Sequence, residues 1–156
     1  MRTFWALVAQ TFLSLFGYCA ALVAASIFAW AAIKNVFIAN AGPEFTDPLH
    51  TFAFIASTAL GALPASFVPA LIAVAITEGF MLRGLFTHLF GGCLVGFAAS
   101  LPIAAITRDL PLPAIEGDII QLSAASGAVG GFVYWLIAGR RAGRWLERAS
   151  ADGRQA

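Results

Sequence analysis

Charge is what this chain lacks most. Only 11% of its 156 residues are Asp, Glu, Lys or Arg, and 60% are hydrophobic; soluble domains carry roughly 25% charged residues. A water-facing surface cannot be assembled from so few charges, so the bilayer has to be the solvent. The mean hydropathy of +0.86 agrees. Cysteine is nearly absent too. Cys19 and Cys93 each lie in an apolar run, with no CxxC and no histidine at ligand spacing. They read as small buried hydrophobes rather than as a disulfide, a metal site or a redox pair.

Catalytic equipment is equally sparse. The two histidines, His50 and His88, fall at opposite ends of their helices, and the acids sit in separate loops or at a membrane surface. No serine has a GxSxG or SxxK context, and no glycine-rich loop follows a strand. Hydrolase, transferase and nucleotide-binding readings therefore have nothing to rest on, and no cofactor or metal is implied. No Asp, Glu, Lys or Arg falls at mid-membrane depth. The membrane-embedded glutamate on which the four-span small multidrug exporters rely is missing, and the polar track of the small fluoride channels has no counterpart.

What is present is four apolar segments. The one that orients the rest is Gly130-Gly131-Phe132-Val133-Tyr134-Trp135-Leu136-Ile137-Ala138-Gly139-Arg140-Arg141. An apolar run passes into two aromatics and then arginines, as a span does when it ends on the cytoplasmic side. The expected fold is all-α: a polytopic membrane protein of four transmembrane helices, with both termini inside and a short basic tail helix. The spans fall at about 12–32, 52–76, 85–106 and 119–138, forming one domain over residues 1–139, with residues 140–156 as the cytoplasmic tail. The first apolar run, Phe4 to Ile33, is about twice the length of a signal-peptide core and reads as a retained helix.

Each segment carries its own signals. Asp47-Pro48 reads as the start of the second helix, with the Asp47 carboxylate capping free amides and proline at the first helical position. Pro64 and Pro69 lie inside that span and remove the partners of the Leu60 and Ala65 carbonyls, for which Ser57, Thr58 and Ser66 are candidate donors. Two readings stay open there: a packing kink, or a broken helix lining a polar site. The stretch Thr77–Gly84 is a short inner turn with Glu78 and Arg83 at the surface. In the third span His88, Gly92, Gly96 and Ser100 recur every four residues, and in the fourth Ser123, Gly127 and Gly131 do the same. These small-residue faces are expected to meet. His88 is either a hydrogen-bonding group near the interface or a proton-responsive one. Asp118 and Gln121 fit a capping box that would open the fourth helix.

Arg140, Arg141, Arg144 and Arg148 belong to the basic tail, which is expected to lie on the inner leaflet against anionic headgroups; a nucleic-acid partner is not expected. Orientation follows from the basic residues. Arg2, Arg83 and the five tail arginines fall on the inner side if both ends are inside, leaving Lys34 and Arg108 outside. An even number of spans is then required, and four are found.

The terminal GAVGGFVYWLIAGRRAG (127–143), together with TEGFMLRG (77–84), resembles small uncharacterised four-span inner-membrane proteins of alphaproteobacteria. The resemblance covers about the last third and the central turn. It implies a multi-pass protein of the bacterial inner (plasma) membrane, and no activity. By elimination, the expected role is a structural or accessory subunit that packs with itself or a larger membrane complex through its small-residue faces. The alternative is an oligomeric channel or transporter for a small solute or ion, with the proline region, the glycine faces and His88 lining the path.

Overall fold

The computed structural model describes residues 2–37, 47–107 and 113–142, and it is all-helical over them. Four α-helices follow in order: α1 (Arg2–Phe37), α2 (Pro48–Gly79), α3 (Leu85–Thr107) and α4 (Pro113–Ile137), with a 3₁₀ turn at Gly139–Arg141. Each contains a stretch long and apolar enough to cross a membrane: Val8–Lys34, Pro48–Gly79, Leu85–Pro102 and Asp118–Ile137. A bilayer core needs about 20 helical residues. The helices α1 and α2, at 36 and 32 residues, therefore tilt or protrude.

The distribution of side chains explains why lipid is the right solvent. Buried hydrophobic residues among those described are three alanines, Ala29, Ala138 and Ala142, whereas the buried polar ones are Ser26, Ser66, Thr77, His88, Ser100 and Ser126. Large apolar side chains point outward instead, with Phe86 85% and Phe90 68% exposed. In water each such phenylalanine would forgo roughly 1.5–3 kcal/mol of burial. In hydrocarbon the arrangement costs nothing, and small residues inside let backbones approach. The buried hydroxyls are satisfied locally: Ser26 donates to the Leu22 carbonyl, Ser66 to Ala62, Ser100 to Phe97 and Ser126 to Leu122. Such bonds to the preceding turn keep polar atoms off the lipid.

Several sequence expectations need correcting. Asp47 does precede α2, with Pro48 in its first turn, but its carboxylate caps no amide. It faces the His50 Nδ1 at 3.1 Å, an exposed pair of little energetic consequence. Both Pro64 and Pro69 lie within one continuous helix, so the broken-helix reading falls. Ser57 and Ser66 donate to the carbonyls of Phe54 and Ala62 rather than to those the prolines leave without partners. The fourth helix starts at Pro113, five residues before Asp118, so the capping box is not its opening. Pro113 occupies the first helical position, as Pro48 does in α2. Cys19, expected to be buried, is exposed on the face of α1. The tail helix, Arg144 and Arg148 lie outside the described residues, as does the Arg141 side chain.

The turn from α2 to α3 is tight. The Leu82 amide donates back to the Thr77 carbonyl at 2.8 Å, and Met81 takes a left-handed conformation (φ 53°) that usually falls to glycine. The packing that results is uneven. α4 is the centre: α3 lies along it most closely, α1 next, and α2 is held least.

Candidate functional site

The interior is built on α4, whose glycines serve two neighbours. Gly127 and Gly131 face α3. A Cβ on Gly127 would collide with the Gly92 carbonyl and come within 2.9 Å of the Gly96 Cα. One on Gly92 would lie 2.8 Å from the Gly131 Cα, and one on Gly96 would collide with the Ser123 carbonyl. One on Gly131 would run into the His88 carbonyl. Backbone therefore touches backbone along this seam, within range of Cα–H···O contacts. Ser100, 1% exposed, continues the α3 face and bonds its own helix.

Gly130 faces α1, where its Cβ would meet the Ala21 carbonyl at 3.1 Å and the Ala25 Cβ at 3.6 Å. Gly17 completes that contact below the Tyr134 ring and Ala138. The α1 face is Gly17, Ala21, Ala25 and Ala29, again every four residues. It was missed in the sequence, where alanines are too common in apolar helices to stand out.

The end of the bundle that holds the α2–α3 turn is tied by polar and aromatic contacts. The Gln10 amide donates to the Glu78 carboxylate at 2.6 Å, joining α1 to α2. The Trp135 indole donates to the Arg83 carbonyl (2.9 Å) and the Arg83 guanidinium to the Ala142 carbonyl (2.9 Å). The Arg140 guanidinium sits 5.1 Å over the Trp135 ring. His88 is at the heart of this knot, 5% exposed. Its Nδ1 lies 2.9 Å from the Gly84 carbonyl, to which a protonated Nδ1 donates, and its ring stacks on Tyr134 with centroids 6.0 Å apart. The Nε2 is sealed in without a hydrogen-bond partner, against Gly139. At the other end of α1, the Lys34 ammonium folds over the Trp30 ring at 4.8 Å, an interfacial anchor.

Lined by all four helices, with α1 and α3 each packed on α4 and the more loosely held α2 facing them, is a cavity of about 720 Å³. It runs from Tyr134, His88 and Thr77 at the knotted end to Ile33, Phe54 and Pro102 at the other, with all four helices contributing. It is neither sealed nor a surface groove. Of the candidates read from the sequence, Gly92, Gly96, Ser123, Gly127, Gly131 and His88 line it in part. Pro64 and Pro69 do not: the middle of the α2 wall is Thr58, Gly61, Ala62, Ala65, Ser66, Ala70, Ala73 and Val74.

The wall offers a guest little polarity. No Asp, Glu, Lys or Arg lines it among the described residues, and no three His, Cys, Asp or Glu gather into a metal-binding group. The hydroxyl protons of Ser26, Ser66 and Ser126 are already given to their own helices. Because Ser66 donates to the Ala62 carbonyl, Tyr18 is the donor in the 2.9 Å bond between the two hydroxyls. That bond pins the middle of α2 to α1. Tyr18→Phe is expected to lower stability by roughly 0.6–1.5 kcal/mol, read by thermal unfolding in detergent, with faster amide exchange along α2 than along α4.

Comparison with family models, with curated proteins and with solved structures finds no match for this chain. Its multi-pass, four-helix character accordingly stands on the helices themselves.

Proposed function

We propose that this multi-pass protein works by holding a small apolar guest between its helices, as a binding protein of the membrane rather than as a catalyst. The observation that carries this reading is the interior cavity. Its volume falls within the roughly 300–1,000 Å³ of small-molecule sites, and its wall is largely apolar, with the Ser26, Ser66 and Ser126 hydroxyls engaged by their own helices. The accessory-subunit reading relied on small-residue faces free to meet a partner. On α3 and α4 those faces are occupied within the chain, and the large side chains left outside are covered by lipid as readily as by protein. A solute path through the chain has less support, because no charged side chain lines the cavity among the described residues.

The same proposal places the protein in a bacterial inner membrane with both termini in the cytoplasm. The knotted end, which holds Arg83 and Arg140, then faces the anionic inner leaflet. A C-terminal alkaline phosphatase fusion is expected to be inactive; an active fusion would reverse the orientation.

Binding is tested with the delipidated protein in a fluorinated surfactant, which mixes poorly with hydrocarbon. N-phenyl-1-naphthylamine should bind saturably, one per chain. Gly61 and Gly91 both line the cavity, and a Cβ on either meets nothing within 4 Å. Gly61→Leu and Gly91→Leu should therefore fold and occlude the site, weakening the probe by about tenfold or more, a change of about 1.4 kcal/mol. Gly79 is equally unobstructed and lies outside the cavity. Gly79→Leu should bind as the parent does. Probe uptake that never saturates, or that ignores the two cavity substitutions, would overturn the reading.

A further inference from the structure

We infer that the guest is a single long hydrocarbon chain, lying along the bundle axis; the inference rests on the binding reading above. Shape is the first argument. The lining runs over 15 helical steps on α3, from Thr87 to Pro102, and the same number on α4, from Ile119 to Tyr134. At 1.5 Å per residue that is about 22 Å. The space is therefore elongated along the bundle, and a flexible chain can follow its length.

Chemistry is the second argument. The long walls present Ala21, Ala25, Ala65, Ala70, Ala73 and Val95, methyl and methylene surface without charge. At the knotted end Thr77 donates to Val74, the His88 Nδ1 faces Gly84 and the His88 Nε2 is buried. Thr58, Thr87 and Ser123 add hydroxyls to a wall that is otherwise largely apolar and, among the described residues, uncharged. The third argument is access. α2 is the helix least packed against the others and forms one wall of the cavity, so its displacement would admit a chain from the bilayer.

A long chain is available from two sources, a free fatty acid or one tail of a phospholipid, and competition distinguishes them. Bound N-phenyl-1-naphthylamine is titrated with palmitic acid, with a short-chain acid (hexanoic), with monopalmitoyl phosphatidylglycerol, and with adamantane as a compact hydrocarbon. Palmitic acid or the lysolipid should displace the probe at least about tenfold better than hexanoic acid or adamantane, since affinity grows by about 0.8 kcal/mol for each buried methylene. Displacement by palmitic acid alone assigns the fatty acid; displacement by both assigns the chain whatever its head. Equal or better displacement by adamantane would overturn the chain while leaving the binding reading intact. Failure of the probe itself to bind saturably would remove both.

Discussion

Gly127→Leu should abolish the folded bundle. The Cβ it adds falls on the Gly92 carbonyl and within 2.9 Å of the Gly96 Cα, both backbone atoms of α3 that cannot rotate away. The helices must separate along the whole seam, which also breaks the contacts of Gly92 with Gly131 and of Gly96 with Ser123. Overpacking against movable side chains costs about 1–3 kcal/mol; here the obstruction is main chain, and the loss should exceed about 3 kcal/mol. Gly96→Leu strikes the Ser123 carbonyl and should behave alike. Size-exclusion profiles and thermal unfolding in mild detergent read the outcome. Unchanged elution and melting for both variants would contradict the seam, and Gly79→Leu serves as the tolerated control.

The second large effect belongs to the contact between Gly139 and His88. A Cβ on Gly139 would lie 2.6 Å from the His88 Nε2 and 2.8 Å from its Cδ2. The imidazole has nowhere to go, because Tyr134 stacks on its face and Gly84 holds its other nitrogen. Gly139→Ala is expected to cost about 1–3 kcal/mol. In a His88→Ala background the space is vacant and the same change should be nearly neutral, leaving a coupling of roughly 1–2 kcal/mol between the two sites. Additive effects would mean that Gly139 matters for some reason other than the ring. This cycle separates a steric role for His88 from a hydrogen-bonding one, since the Nδ1 bond to Gly84 is lost in both arms.

How far the sequence carried these conclusions differs from element to element. The helices were legible because a span needs only length and apolarity, and those are local properties. The α3 and α4 faces were legible for a similar reason: glycine every four residues is scarce enough to mark a close approach. The Gly17-Ala21-Ala25-Ala29 face obeys the same spacing, but alanine is as good a helix former as a contact residue, so its pattern carries less information. Pro113 was a legible helix start that the Asp118–Gln121 pair obscured. Pro64 and Pro69 drew attention to α2 but do not line the cavity, whose α2 wall includes the small residues Gly61, Ala62, Ala65, Ser66, Ala70 and Ala73. His88 was singled out for its chemistry, yet its setting depends on Gly139 and Tyr134, some 50 residues distant in sequence. The cavity depends on how loosely α2 is held, a balance over whole helices that no single motif encodes.

The measurement that bears most directly on the account is native mass spectrometry of the protein extracted gently from the membrane in which it was made, compared with Gly61→Leu treated identically. The account predicts that the parent retains one bound species per chain, released on activation with the mass of a fatty acid or lipid, and that Gly61→Leu flies bare. A parent chain that flies bare under conditions that preserve lipid on other membrane proteins, or an identical adduct on Gly61→Leu, would contradict it.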